Sequence, residues 1–297
     1  MNLRIATADG LFETGVGTAP TVAGPVRIFD DVVVAAGRKV LWHGSRGWTE
    51  MGRTSGILCA VDAPGGLIVG TEGAHLLRFR GDGFETIESF DRAPSRDEWY
   101  TPWGGPSEVR SLTRTPDNVL LANVHVGGIV RSEDSGRSWF PTVDIHHDVH
   151  QVRAVWDQTD LVVAASAVGL LVSNDAGAHW RAHTRGLHAT YCRAVAATDD
   201  GILVSASEGP RGRQSAIYRT NASATERFDR VSDWIDGNVD SHALDARGAN
   251  GAFGTPRGEL YQSSNSGLTW SRTRTGLPAV TSLSIVEHDT ANWLPVN

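Results

Sequence analysis

Apolar residues come in short bursts along this chain. Val119-Leu120-Leu121-Ala122-Asn123-Val124, Leu161-Val162-Val163-Ala164-Ala165 and Ile202-Leu203-Val204-Ser205-Ala206 are examples. Each is too short for a helix and rich in β-branched residues, so each reads as a buried strand. Another apolar strand precedes each one: Val109-Arg110-Ser111-Leu112, Val152-Arg153-Ala154-Val155 and Cys192-Arg193-Ala194-Val195. Polar turns such as Thr115-Pro116-Asp117-Asn118 and Thr198-Asp199-Asp200-Gly201 separate the members of a pair. A Gly-containing loop then leads to a third strand, as in Gly128-Ile129-Val130-Arg131-Ser132. No segment carries the period of a long amphipathic helix.

Three turns share one pattern. Ser132-Glu133-Asp134-Ser135-Gly136-Arg137-Ser138-Trp139, Ser173-Asn174-Asp175-Ala176-Gly177-Ala178-His179-Trp180 and Ser263-Ser264-Asn265-Ser266-Gly267-Leu268-Thr269-Trp270 all read Ser-x-Asp/Asn-x-Gly-x-x-Trp. The short acid or amide bonds turn amides, and Gly supplies a positive φ. The Trp then anchors the turn by burying its ring. Each turn joins a third strand to a fourth, so four short strands make one unit. First strands begin near Val26, Gly56, Val109, Val152, Cys192, His242 and Ser282, a mean interval of about 43 residues, the period of a propeller blade. The last start has no room for a whole blade, and residues 1–20 hold a second and third strand without a first. The strand Thr281-Ser282-Leu283-Ser284-Ile285-Val286 is therefore expected to complete the N-terminal blade and remove exposed sheet edges. The expectation is one all-β domain over residues 1–297. It is a seven-bladed β-propeller of four-stranded antiparallel blades, with N- and C-terminal strands closing one blade. Six blades is the alternative count.

The repeated turn resembles the Asp-box (BNR) repeat of the sialidase-like β-propellers. That resemblance implies a triad of arginines holding a substrate carboxylate, a Tyr–Glu nucleophile pair and an Asp acid/base. By position, Arg110, Arg153 and Arg193 take the clamp. Val26-Arg27-Ile28-Phe29 resembles the family's Arg-Ile-Pro motif, with Phe29 in place of the Pro. Of four tyrosines, Tyr100 and Tyr191 map to the pocket end. The chain also resembles photosystem assembly-factor propellers, which bind partners and catalyse nothing.

Composition narrows the classes. With 27 Lys+Arg against 34 Asp+Glu, the formal charge is −7 and is spread evenly, which argues against nucleic acid or a membrane surface as partner. No apolar run is long enough to span a membrane, and the N-terminal residues lack a signal-peptide pattern. Two cysteines, Cys59 and Cys192, make no disulfide framework. They are read as buried thiols in a cytoplasmic protein. No nucleotide-cofactor motif is present.

In an up-and-down blade, the loop between the second and third strands and the crossover to the next blade open at one end. The repeated turns open at the other. Seven of the 11 histidines map to the crossover end: His75, His125, His146, His147, His150, His188 and His242. His43, His179, His183 and His288 do not. His125, His150, His188 and His242 fall on four consecutive blades, an arrangement that suits a divalent metal. Asp148 and Asp240 lie nearby, and Glu72, Glu108 and Glu208 are candidate acids or bases. The alternative is polar loop residues holding no metal. Arg27, Arg110, Arg153 and Arg193 read as an equivalent column, either an anion clamp or a set of inter-blade ion pairs with Glu108, Asp148 or Asp240. The insertion 91–107 lengthens one crossover, so Trp99, Tyr100 and Trp103 either cover a pocket or patch a blade edge. The loop Glu208–Gln214 adds positive charge.

Taken together, these features point to an enzyme, a hydrolase or lyase, acting on a small anionic or sugar-like ligand. Its catalytic candidates are His150, His188, Glu208 and Tyr191. Arg110, Arg153, Arg193, Trp99, Tyr100 and Trp103 would bind substrate, and His125, His150, His188 and His242 a metal. The rival is a non-catalytic binding or assembly propeller.

Overall fold

The computed structural model describes residues 1–15, 19–29, 32–35, 37–44, 47–155, 158–223 and 226–286, so His288 lies outside the described residues. They form seven four-stranded sheets. Blades 2 to 7 run in chain order from their first strands, Val26–Phe29, Ile57–Val61, Val109–Arg114, Val149–Ala154, Tyr191–Ala197 and Leu244–Arg247. Blade 1 is composite. Val280–Val286 pairs antiparallel with Asn2–Thr7, which continues to Gly10–Glu13 and Val22–Ala23. The seven-bladed expectation and its closing strand are both observed. Among the described residues no helix is long and apolar enough to cross a membrane.

The first strand of each blade presents an unpaired edge, and its amides need acceptors. Side chains of the preceding blade supply them. Ser111 Oγ accepts from the Val152 amide and Thr113 Oγ1 from Ala154, both at 2.9 Å. Gln151 Oε1 accepts from Val195 at 3.0 Å, Asp245 Oδ2 from Ile285 at 2.8 Å, and Ser282 Oγ from Ile28 at 2.8 Å. These buried polar residues are stitches between blades.

The repeated turns behave as their chemistry predicts. Ser132 Oγ accepts from the Gly136 amide, while Asp134 Oδ1 accepts from the Arg137 and Ser138 amides. Ser173 and Asp175, and Ser263 and Asn265, repeat this arrangement. The glycine is required twice over at Gly177: φ is +82°, and a Cβ would lie 2.2 Å from Leu121 of the preceding blade. A second device is not in the motif itself. An arginine on the preceding blade's third strand donates to the carbonyl just before each turn glycine. These are Arg78 to Ser135 at 3.0 Å, Arg131 to Ala176 at 2.7 Å and Arg219 to Ser266 at 2.8 Å. In blade 5 the third strand Gly169–Ser173 has Val172 where blade 4 has Arg131, and the following blade 6 lacks the turn motif.

Candidate functional site

The first strands of blades 4, 5 and 6 break their ladder near the crossover end, as those of blades 1 and 3 also do. The register shifts between Val109 and Ser111, between Val149 and Gln151, and between Cys192 and Val195. A bulge releases its extra residue from pairing and re-aims it. The released residues include Arg110 in blade 4, His150 in blade 5 and Arg193 in blade 6. This corrects the arginine column. The partner of Arg110 and Arg193 in blade 5 is His150, and Arg153 lies three residues further along its strand. The crossover into blade 5 ends earlier than the Val-Arg match suggests, so aligning Val152-Arg153 with Val109-Arg110 slips the repeat.

Each expected clamp arginine already has a carboxylate. Arg110 Nε is 3.0 Å from Glu108 Oε2, and Arg193 Nη2 is 2.6 Å from Asp240 Oδ1. Arg153 reaches from blade 5 to Asp245 of blade 7. Of the two sequence alternatives, ion pairing is what the structure contains. An incoming anion at these three residues would compete with resident carboxylates.

The four histidines do not form one ligand set. Among the described residues no three His, Cys, Asp or Glu side chains come together in a group fit for a metal. His242 sits in the left-handed region at φ 68°. Its Nε2 is 3.3 Å from the Arg110 carbonyl and its Nδ1 is 3.3 Å from Gln151 Nε2. Phe29 of blade 2 meets the ring edge-on at 5.1 Å. Contacts from blades 2, 4 and 5 thus converge on His242, which plugs the centre of the ring. Burial there pulls its pKa down to about 4. The neutral ring fits this network, with Nε2–H donating to the carbonyl and Nδ1 accepting from the amide.

His188 is elsewhere. Its Nδ1 is 2.7 Å from the Tyr218 hydroxyl, and its ring meets the exposed Trp234 edge-on at 5.0 Å. Burial lowers its pKa. Glu208, an exposed residue, faces Arg213 at 3.5 Å. Within this arrangement His188 and Glu208 lie in electrostatic reach of each other.

His125 and His150 do meet, through Asp148. His125 Nε2 lies 3.4 Å from Asp148 Oδ1, and His150 Nε2 lies 3.5 Å from Oδ2. The two imidazoles hold the Asp148 carboxyl far below the usual carboxylate range. His150 Nδ1 is fixed at 2.6 Å from the Cys192 carbonyl, so Nε2 is the end that faces Asp148. Tyr191 packs on His150 with ring centroids 4.6 Å apart. Burial pushes the Tyr191 phenol up, while Arg193, Asp148, Arg110 and Asp240 all lie within electrostatic reach of it.

The insertion splits its aromatics. Trp99 is buried, donates to Ser95 Oγ at 3.2 Å and packs on Phe90, so it is core and not pocket lining. Tyr100 is exposed, and its amide reaches the Val126 carbonyl. Trp103 is 62% exposed, stacks on His125 at 4.9 Å and lies 5.6 Å from the Arg110 guanidinium. The insertion is held down by Arg96, which donates to the carbonyls of Ala74 at 2.6 Å and Gly73 at 3.1 Å. It is a fixed shoulder beside the mouth. Sequence reasoning missed Gln151 and Ser241. Ser241 Oγ donates to the His150 and Arg193 carbonyls.

Two clefts open near this face. One of about 250 Å³ lies between blades 6, 7 and 1, with Arg193, Arg211 and Asp240 on its wall. Another of about 440 Å³ lies between the insertion and the turn at Asp144–His146.

No protein-family model matches the sequence, and no curated protein sequence matches it significantly. Solved structures do match in shape. A GH74 xyloglucanase from Xanthomonas campestris superposes with TM-score 0.58 at 20% identity, over 91% of this chain and 46% of that one. An ancestral GH74 enzyme gives 0.54 at 15% identity, over 78% of this chain and 34% of its own. The computationally designed Ika8 protein gives 0.62 at 15% identity, over 96% of this chain and 88% of its own. The chain spans less than half the length of these two glycosidases. At such identities the likeness shows the fold alone: this chain is a β-propeller of seven four-stranded blades.

Proposed function

We propose that the protein binds a saccharide at the crossover end of the ring. The observation that carries this reading is Trp103, a ring 62% exposed yet fixed against His125 and Arg110 at a mouth lined by paired ions. An exposed aromatic face with a polar surround suits the apolar face and hydroxyl rim of a sugar. The ion pairs Arg110–Glu108 and Arg193–Asp240 offer donors and acceptors side by side without net charge. Hydroxyl groups, which both donate and accept, fit that alternation better than a bare anion does. The glycosidase neighbours share the fold and lend the reading a general support.

The test is saturation-transfer NMR of the purified chain against a panel of neutral oligosaccharides, xyloglucan fragments among them. Binding by the native protein and its loss in Trp103→Ala supports the reading. Absence of any saccharide signal from the native protein sinks it.

Hydrolysis of the bound glycan is a second reading, favoured by Asp148. An ionised carboxylate clasped by two imidazoles suits a nucleophile or a stabiliser of positive charge developing at the anomeric carbon. Reducing-end release by the native protein, abolished in Asp148→Asn, separates catalysis from binding alone.

A further inference from the structure

We propose that Asn123 holds an ordered internal water between blades 4 and 5, and that this water bonds His125 Nδ1 and so sets the imidazole in place against Trp103. The second strand of blade 4, Leu120–Val124, sends alternate side chains to opposite faces. Leu120, Ala122 and Val124 join the core on the blade 3 side, whereas Val119 and Leu121 join the core shared with blade 5. Asn123 and His125 continue that second row, and His125 reaches Asp148 at the entry to blade 5. Asn123 is wholly buried, yet among the described residues neither its Oδ1 nor its Nδ2 has a hydrogen-bond partner. The equivalent residues, each paired with the first inner-strand position beyond the bulge, are Gly70 in blade 3 and Ala165 in blade 5. The amide is therefore not a repeated blade feature; it stands in the blade that carries His125.

The buried polar atoms complement one another. His125 turns Nε2 to the Asp148 carboxylate at 3.4 Å. A neutral imidazole that donates there carries a lone pair at Nδ1, and Nδ1 is buried without a donor among the described residues. Two residues along a strand span about 6.6 Å, a gap that one water can bridge between side-chain tips. Ser111, the register partner of Asn123, adds a third group: its Oγ accepts from the Val152 amide at 2.9 Å and keeps a hydroxyl hydrogen to give. Asn123, His125 and Ser111 thus supply the two to four polar partners that an internal water needs. Leaving such atoms bare is costly, and a bridging water removes the cost. Buried Ile129, Val149 and Val152 belong to the same core, and His125 is only 4% exposed, so a sugar at the mouth does not reach this spot. With Nδ1 held, the ring keeps Nε2 on Asp148 and its face 4.9 Å from Trp103. Asn123 is then a positioning residue, acting through water on His125.

The experiment pairs a high-resolution crystal structure of the full chain with NMR of the same chain carrying 15N-labelled histidine. The expected density is one isolated peak within about 3.2 Å of both His125 Nδ1 and an amide atom of Asn123. The expected His125 Nδ1 resonance is that of an imidazole nitrogen accepting a hydrogen bond. Asn123→Leu keeps the size of the side chain and removes the amide. In that variant the peak disappears and the Nδ1 resonance shifts to that of a bare imidazole nitrogen, while His150, fixed by the Cys192 carbonyl, keeps its signals. Asn123→Ser, shorter and still polar, restores the native Nδ1 signal. Native density without the peak, or an Asn123 amide bonded directly to protein groups, overturns the proposal. So does an N123L variant that loses stability while its Nδ1 signal stays native, which is the result of a purely structural role. If N123L does not fold, the native density and the native Nδ1 signal decide between the same outcomes. Neither readout involves a sugar, so this proposal and the saccharide reading stand or fall separately.

Discussion

Arg131→Met tests whether the blades are latched through the repeated turns. Arg131 donates from Nε to the Ala176 carbonyl at 2.7 Å, and its side chain is only 13% exposed. A hydrogen bond from a charged group contributes about 1.5–3 kcal/mol. The ion pair to Glu133, which is 68% exposed, adds about 0–1 kcal/mol. Methionine keeps the apolar stem and removes the cost of shielding a guanidinium, which offsets part of the loss. The net expectation is a destabilisation of about 2 kcal/mol, or a Tm lower by roughly 3 °C. Urea unfolding followed by tryptophan fluorescence measures it. Glu133→Gln should stay within about 0.5 kcal/mol of the native protein. Val172→Arg should gain nothing, because blade 6 has no such turn to receive it. An R131M variant as stable as the native chain, or an E133Q variant as damaged as R131M, refutes the latch.

Other expectations follow from the site and the core. Trp103→Ala should weaken saccharide binding about tenfold or more without changing the melting curve, since the ring is 62% exposed. Trp99→Ala should instead cost about 3–5 kcal/mol and open the insertion to proteolysis, read by cleavage within residues 91–107. His242 has a folded pKa near 4, below the ordinary value of 6.5, so its contribution is full above pH 6.5 and is lost as pH falls towards 4. Compared with His242→Asn, which tolerates the left-handed backbone, the native protein should lose about 3 kcal/mol more between pH 7 and 4; parallel curves would contradict this. Burial drives both cysteine thiols far above their ordinary range, so Cys59 and Cys192 should resist a thiol reagent until the chain is unfolded.

Much of the architecture was legible in the residues. The turn motif and the recurrence of strand pairs place each residue on a blade and at one end of it. His125, Asp148, Tyr191 and Arg193 accordingly lie at the end that the topology predicts. Distance from the axis and side-chain direction were not legible. His188 and His150 occupy the same end of neighbouring blades, yet a bulge releases His150 towards Asp148 while His188 is tied to Tyr218. Trp99 and Trp103 stand four positions apart in one loop and face core and solvent respectively. Arg153 was misplaced because a Val-Arg pair recurs three residues beyond the true equivalent, a slip that bulges and uneven crossovers conceal. The latch arginines left a signal that was available: Arg78, Arg131 and Arg219 each precede a blade bearing the motif, and Val172 precedes one that does not.

The composite blade has a consequence for how the molecule is made. Asn2 lies opposite Val286, so the circle cannot shut until the strand that ends at Val286 has been synthesised. Closing a loop of that length costs only about 0.6 kcal/mol more than one half as long, so the delay is a matter of time and not of final stability. During that wait Asn2–Thr7 offers a bare edge to any suitable strand, including Val280–Val286 of a second molecule. Joining the two ends and cutting a blade elsewhere should therefore preserve the circle while moving the moment at which it becomes whole.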